Sequence, residues 1–155
     1  MTFINWREID DRVTTSGQPT EEQLVELANA GVTTVINLGP HWNKGALDDE
    51  PASVEALGVR YIYIPVDFDA PTRDDFDRFC AAMRATDGER LHVHCIYNAR
   101  VSAFFYLYAK EAGDADVAFT RMDGIWRPGG VWATLIGVPD TETSKNLYAG
   151  EDYAV

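Results

Sequence analysis

The sequence predicts a three-layer α/β domain: a central, mostly parallel sheet flanked by helices. Three observations carry this prediction. Short β-branched or apolar runs alternate with helical stretches along the chain. Two helix starts carry capping signatures, the first of them a capping box. One run, Arg90 to His94, leads through Cys95 straight into an apolar helical stretch. The chain has 155 residues, enough for one domain with a sizeable core, and no internal repeat or low-complexity stretch divides it. The domain is expected over residues 1–137, with an extended tail over 138–155.

Arg12 to Ser16 reads as the first strand, turned by Gly17-Gln18-Pro19. In Thr20-Glu21-Glu22-Gln23, Thr20 is placed to cap the next helix and Gln23 to reach back to it. That helix sets Leu24, Leu27 and Ala28 on one face and stops at Gly31. Val32 to Leu38 is β-branched and reads as a buried strand, followed by a loop from Gly39 to Gly45. Asp49 to Leu57 forms a short helix ended by Gly58, and Val59 to Val66 another strand. After the loop Asp67-Phe68-Asp69-Ala70-Pro71, Thr72 to Asp75 is a second capping signature, opening a helix to about Thr86. Arg90 to His94 is the next strand. Ser102 to Ala112 is apolar and aromatic throughout, the mark of a buried helix, and Asp114 to Met122 is expected to form one more. From Gly124 onward no element is predicted; Trp126 and Trp132 are expected to pack the tail onto the domain, and Cys80, beside Phe79, to join the core.

Composition excludes several classes. With 25 acidic residues against 13 Lys and Arg, the net charge is -12, which repels nucleic acid and anionic membranes. An anion site must therefore be built locally. No apolar run is long enough to span a membrane, the N-terminus lacks the pattern of a signal peptide, and two cysteines make no disulfide framework. A cytoplasmic protein with reduced thiols is expected. His92 and His94 have no third ligand nearby in sequence, and there is no dinucleotide or Walker loop, so no metal or other cofactor is expected. Nothing in the sequence specifies an oligomeric state.

The chemistry concentrates in His94-Cys95-Ile96-Tyr97-Asn98-Ala99-Arg100-Val101-Ser102. A strand-loop-helix unit aims free backbone N–H groups at one point, and a loop curled around that point makes an anion-binding nest. Positive potential there lowers the pKa of a thiol and yields a thiolate nucleophile. Arg100 can grip two oxygens of a tetrahedral anion in its planar fork.

These residues resemble the active loop of cysteine-dependent protein tyrosine and dual-specificity phosphatases. Thr15-Ser16-Gly17-Gln18-Pro19-Thr20 and Gly31-Val32-Thr33-Thr34-Val35-Ile36-Asn37-Leu38 are similar to a bacterial branch of that family, related to the β-lactamase-hydrolase-like proteins. The resemblance covers roughly residues 10–112. It implies a cysteine-phosphatase-like fold and hydrolysis of phosphomonoesters, on a protein or a small molecule, through a phosphocysteine. By this resemblance Cys95 is the nucleophile. Arg100 and the backbone of Ile96, Tyr97, Asn98 and Ala99 bind the phosphoryl oxygens, joined by Ser102. Asp69 is the general acid, with Asp67 in reserve. His94 supports the loop through a hydrogen bond, and His92 is structural.

The loop departs from the family pattern of Cys-x5-Arg-Ser/Thr. Here four residues separate Cys95 from Arg100, and none is glycine. An ungapped alignment sets Ser102 in register but puts Val101 at the arginine position; a one-residue deletion restores Arg100 and puts Val101 at the hydroxyl position. The shorter count resembles that of the rhodaneses, so sulfur transfer through a persulfide is one alternative. A binding module that has lost catalysis is the other. Asn98 is the loop residue best suited to a left-handed conformation. Trp42 and Lys44, on the loop after the second strand, and Ser16 and Gln18, in the family-like segment, are further candidates for contact with substrate.

Overall fold

The computed structural model describes residues 2–118 and 120–140. Its strands are β1 (Arg7–Glu8), β2 (Val13–Ser16), β3 (Thr34–Asn37), β4 (Arg60–Tyr63) and β5 (Leu91–His94). Its helices are α1 (Glu21–Asn29), α2 (Glu50–Glu55), α3 (Arg73–Ala85), α4 (Ala99–Glu111), α5 (Ala115–Ala118) and α6 (Gly130–Ile136). The strands form one sheet in the order β1-β2-β5-β3-β4. All pairs are parallel except β1 with β2.

Both capping boxes are present. Thr20 Oγ1 accepts from Gln23 N while the Gln23 side chain accepts from Thr20 N, and Thr72 and Asp75 do the same for α3. Alternation along the strands feeds two cores. Val35 packs with Leu24, Leu27 and Val54 on the face covered by α1 and α2. Its neighbour Ile36 packs with Phe76, Phe79 and Phe104 on the face covered by α3 and α4. Three layers result, because each buried strand presents apolar side chains to both faces.

The structure differs from expectation at four places. α4 begins at Ala99, three residues before Ser102, because Asn98 ends the loop in a left-handed conformation (φ 69°) and the chain turns directly into helix. Of the helix expected over Asp114 to Met122, the described helical residues are Ala115–Ala118; Thr120 N and Arg121 N bond back three residues, a turn pattern. α6 was not predicted. It opens on Gly129 and Gly130 without a side-chain cap, so no start signal marks it. β1 is two residues long, too short for periodicity to show.

Trp126 and Trp132 are buried among Phe68 and Phe104, as expected of residues that pack the C-terminal part. Cys80 is only half-buried, at the margin of the core. Of the expected tail, Val138 packs against the core and its N–H donates to Ala133 O at 3.0 Å. The stretch 141–155 lies outside the described residues. Among those described, no helix is long and apolar enough to cross a membrane.

Candidate active site

Topology brings four loops to one edge. β2, β5, β3 and β4 run in the same direction, so the segments after Ser16, His94, Asn37 and Tyr63 all leave from the carboxyl end of the sheet, where open α/β folds bind ligands. β5 is central: His94 lies level with Ser16 of β2 on one side and Asn37 of β3 on the other. Cys95 therefore leaves the sheet at its middle, and its residue is completely buried.

Neighbours shape the loop from outside. His94 Nδ1 donates to Cys95 O at 2.9 Å. Gln18 N donates to Ile96 O at 3.0 Å. Asn5 Nδ2 donates to Tyr97 O at 2.9 Å. In a planar trans peptide the carbonyl and the next N–H point in opposite directions. Three successive carbonyls are drawn toward flanking segments, so the N–H groups of Ile96, Tyr97 and Asn98 are directed away from those segments. Outward carbonyls of this kind are what an anion nest requires. Asn98 completes it: its αL backbone reverses the chain, and its Nδ2 donates to Asn5 O at 2.7 Å and Thr15 Oγ1 at 3.0 Å.

Arg100 lies in the first turn of α4 and is fully buried. Its Nη1 donates to Val66 O at 2.8 Å and its Nη2 to Asn43 Oδ1 at 3.0 Å. The guanidinium thus ties the cysteine loop to the loops after β3 and β4. Asp67 follows Val66 directly. Both Asp67 and Asp69 are exposed, and Asp67 Oδ1 accepts from Asp69 N at 2.9 Å. Phe68, between them, is anchored by Trp132, whose Nε1 donates to Phe68 O at 2.8 Å.

Ser102 stands apart. Two residues along a helix turn the side chain by about 200°, away from the face of Arg100. Its hydroxyl donates to Ala99 O at 3.0 Å and accepts from Trp126 Nε1 at 3.1 Å. This places it against the C-terminal segment, not among the groups that ring the loop. Trp42 and Lys44 point to solvent, Trp42 with 62% exposure, while Asn43 between them turns inward. Ser16 serves His92: its Oγ lies 2.7 Å from His92 Nε2. Gln18 contributes its backbone to the loop and its side chain to Glu50, with Nε2 donating to Oε1 at 2.7 Å.

His94 has a second partner that sequence did not single out. Its Nε2 lies 2.5 Å from Glu50 Oε2, and both residues are buried. Burial alone would raise the Glu50 carboxyl. The charge of His94, with hydrogen bonds from His94 and Gln18, holds it below its ordinary value instead. His92 is buried and pushed well below the ordinary imidazole value, first by burial and then by His94. Glu50, Asn43 and Asn5 were missed because their partners His94, Arg100 and Tyr97 lie 44, 57 and 92 positions away in sequence.

A cysteine at a strand end, a nest of amides and an arginine at the head of the next helix define the cysteine-phosphatase class of α/β domains. Residues 5–118 match the family described as DSP-PTPase phosphatase fused to NAD+ kinase, and the chain belongs to that family. It is 31% identical over 103 residues to the β-lactamase hydrolase-like protein of Xylella fastidiosa, a match covering 64% of this chain and 24% of that protein. The match therefore spans about a quarter of that relative's length. Among solved structures it is similar to a DUF442 phosphatase-like protein of Shewanella putrefaciens, with 36% identity, a TM-score of 0.79 and coverage of 87% of this chain and 90% of that one. P. aeruginosa TpbA, crystallised in complex with pTyr, shares the fold at 20% identity and a TM-score of 0.59, covering 77% of this chain and 72% of that one. The family match aligns the domain with dual-specificity phosphatases and does not favour sulfur transfer.

Proposed function

We propose that this domain hydrolyses phosphomonoesters through a phosphocysteine on Cys95. The observation that supports it most is the set of three carbonyls, of Cys95, Ile96 and Tyr97, held outward by His94, Gln18 and Asn5. It leaves successive N–H groups and the head of α4 to receive phosphoryl oxygens. Arg100 adds a guanidinium, and one of its present partners, Asn43 Oδ1, is an oxygen that a phosphoryl oxygen can replace.

The Cys95 thiolate attacks phosphorus, forming an S–P bond as the P–O bond to the leaving group breaks. Asp69 gives its proton to the leaving oxygen. Asp69, now ionised, then takes a proton from water, whose oxygen attacks phosphorus, breaks the S–P bond and releases inorganic phosphate. Asp67 is the reserve for this role, since it adjoins the Val66 carbonyl that Arg100 holds. A cavity of about 550 Å³, bordered by Gln18, Lys44, Ile96 and Tyr97, lies beside the loop and offers room for the organic part of a phosphorylated protein or small molecule.

The test uses an aryl phosphate, chosen because TpbA takes pTyr. The wild-type protein releases phosphate, Cys95→Ser abolishes release, and Arg100→Lys lowers kcat/KM about 100-fold, because a point charge replaces a two-pronged fork. Hydrolysis unchanged by Cys95→Ser overturns the mechanism.

A further inference from the structure

We infer that Glu50 is a positioning residue for the nucleophile: through His94 it fixes the Cys95 carbonyl and keeps a positive charge next to the Cys95 thiolate. The inference deepens the phosphatase reading and rests on it.

With Glu50 held ionised, its carboxyl being kept below the ordinary value, the hydrogen-bond chain has one consistent arrangement. Cys95 O can only accept, so His94 Nδ1 carries a hydrogen. Glu50 accepts on both oxygens, from Gln18 Nε2 at 2.7 Å and from His94 Nε2 at 2.5 Å. With both ring nitrogens donating, His94 is an imidazolium paired with a carboxylate. An imidazolium with no exposure is expensive to keep without its counter-charge. Glu50 supplies that charge from the first turn of α2, where the helix N-terminus favours a carboxylate. The helix is held in turn by Asp49, whose Oδ1 accepts from Ala52 N at 3.3 Å.

Other charged and titratable groups surround this chain. Arg100 approaches from α4 with its guanidinium. His92, two residues earlier on β5, is neutral by burial. His41 and Tyr61 act on Glu50 from the β3–β4 side. Of the groups in this set, only His94 both donates to the cysteine peptide and depends on Glu50 for its charge.

Glu50→Gln tests this while keeping the shape. The amide can accept from Gln18 and donate to a neutral His94 Nε2, so His94 Nδ1 still donates to Cys95 O. One positive charge beside the thiol is lost. The thiolate is read by its ultraviolet absorbance, as the difference between each protein and its Cys95→Ser counterpart. This readout needs neither turnover nor access by a reagent, so it separates failure of the inference from failure of the phosphatase reading. The expected result is a rise of about one pH unit in the Cys95 midpoint, a tenfold fall in thiolate at a given pH below it. His94→Asn, a neutral donor to the same carbonyl, gives a similar rise, and the double variant adds little to either. An unmoved or lowered midpoint in Glu50→Gln, or a rise absent from His94→Asn, overturns the inference.

Discussion

Asn98 does two things that few side chains combine. It holds φ at 69°, and it binds both Asn5 O and Thr15 Oγ1 through Nδ2. Phosphate loops commonly use glycine at such a position, and glycine would supply only the first. The two contributions separate by substitution. Asn98→Ala loses the hydrogen bonds and meets left-handed strain, so urea unfolding should show a loss of about 2–3 kcal/mol. Asn98→Gly loses the bonds alone and should cost about 1 kcal/mol less. Equal losses would show that the backbone conformation carries no cost in alanine. The left-handed role of Asn98 was legible in the sequence, because asparagine is the residue of Ile96 to Arg100 that tolerates it. The inward turn of Asn43 was not. Trp42 and Lys44 draw the eye as recognition residues, yet burial selects the small amide between them to meet Arg100.

At the scale of elements, the site depends on loops held by other loops. Gly17 shows how tightly. A Cβ there would lie 2.3 Å from Ile96 O, the carbonyl that Gln18 N holds outward. Gly17→Ala must push the cysteine loop away, and it should lower kcat/KM for an aryl phosphate at least tenfold while far-ultraviolet dichroism stays native. A variant as active as the wild type would show that the loop does not need this contact. The loop after β4 is tested by leaving group. If Asp69 donates the proton, Asp69→Asn should slow an alkyl phosphate about 100-fold or more and an activated aryl phosphate far less, because a good leaving group needs no acid. The same contrast in Asp67→Asn, and its absence in Asp69→Asn, would move the role to Asp67. Capping boxes, strand order through the β-branched runs and the strand into Cys95 were readable because their signals are local. The support given by α6, whose Trp132 anchors Phe68 O between the two aspartates, was not, since it joins residues 64 positions apart from a helix without a start signal.

Across the whole molecule, charge and burial oppose each other. The surface is acidic, with a net charge of -12, while the sheet's centre encloses two histidines 6.4 Å apart between ring centroids. One of them, His94, is paired with Glu50. The other, His92, has no carboxylate partner among the described residues; besides His94 it meets neutral groups. Its ring lies 5.5 Å from that of Trp6 in a stacked arrangement, and its nitrogens meet two hydroxyls. Ser16 Oγ gives its hydrogen to Gly17 O at 2.7 Å, so it accepts from His92 Nε2, and Thr14 Oγ1 then donates to Nδ1 at 2.8 Å, its other acceptor, Leu91 O, lying farther off at 3.4 Å. Both nitrogens are satisfied in the neutral ring. A second proton on Nδ1 would face the Thr14 hydrogen with the His94 charge nearby, and the folded value is pushed well below 6.5 for these reasons, burial first. The consequence is a pH dependence of fixed sign. The unfolded chain takes up a proton on His92 as pH falls through 6.5, and the folded chain does not, so stability is full above that value and drains away below it. Between about pH 7.5 and about pH 5.5 the His92 contribution should fall by roughly 1 kcal/mol, read from urea midpoints. His92→Asn should be less stable at the higher pH, yet lose roughly 1 kcal/mol less on acidification. If wild type and variant lose stability in parallel, His92 is protonated in the folded protein and the neutral network described for Thr14, His92 and Ser16 is wrong.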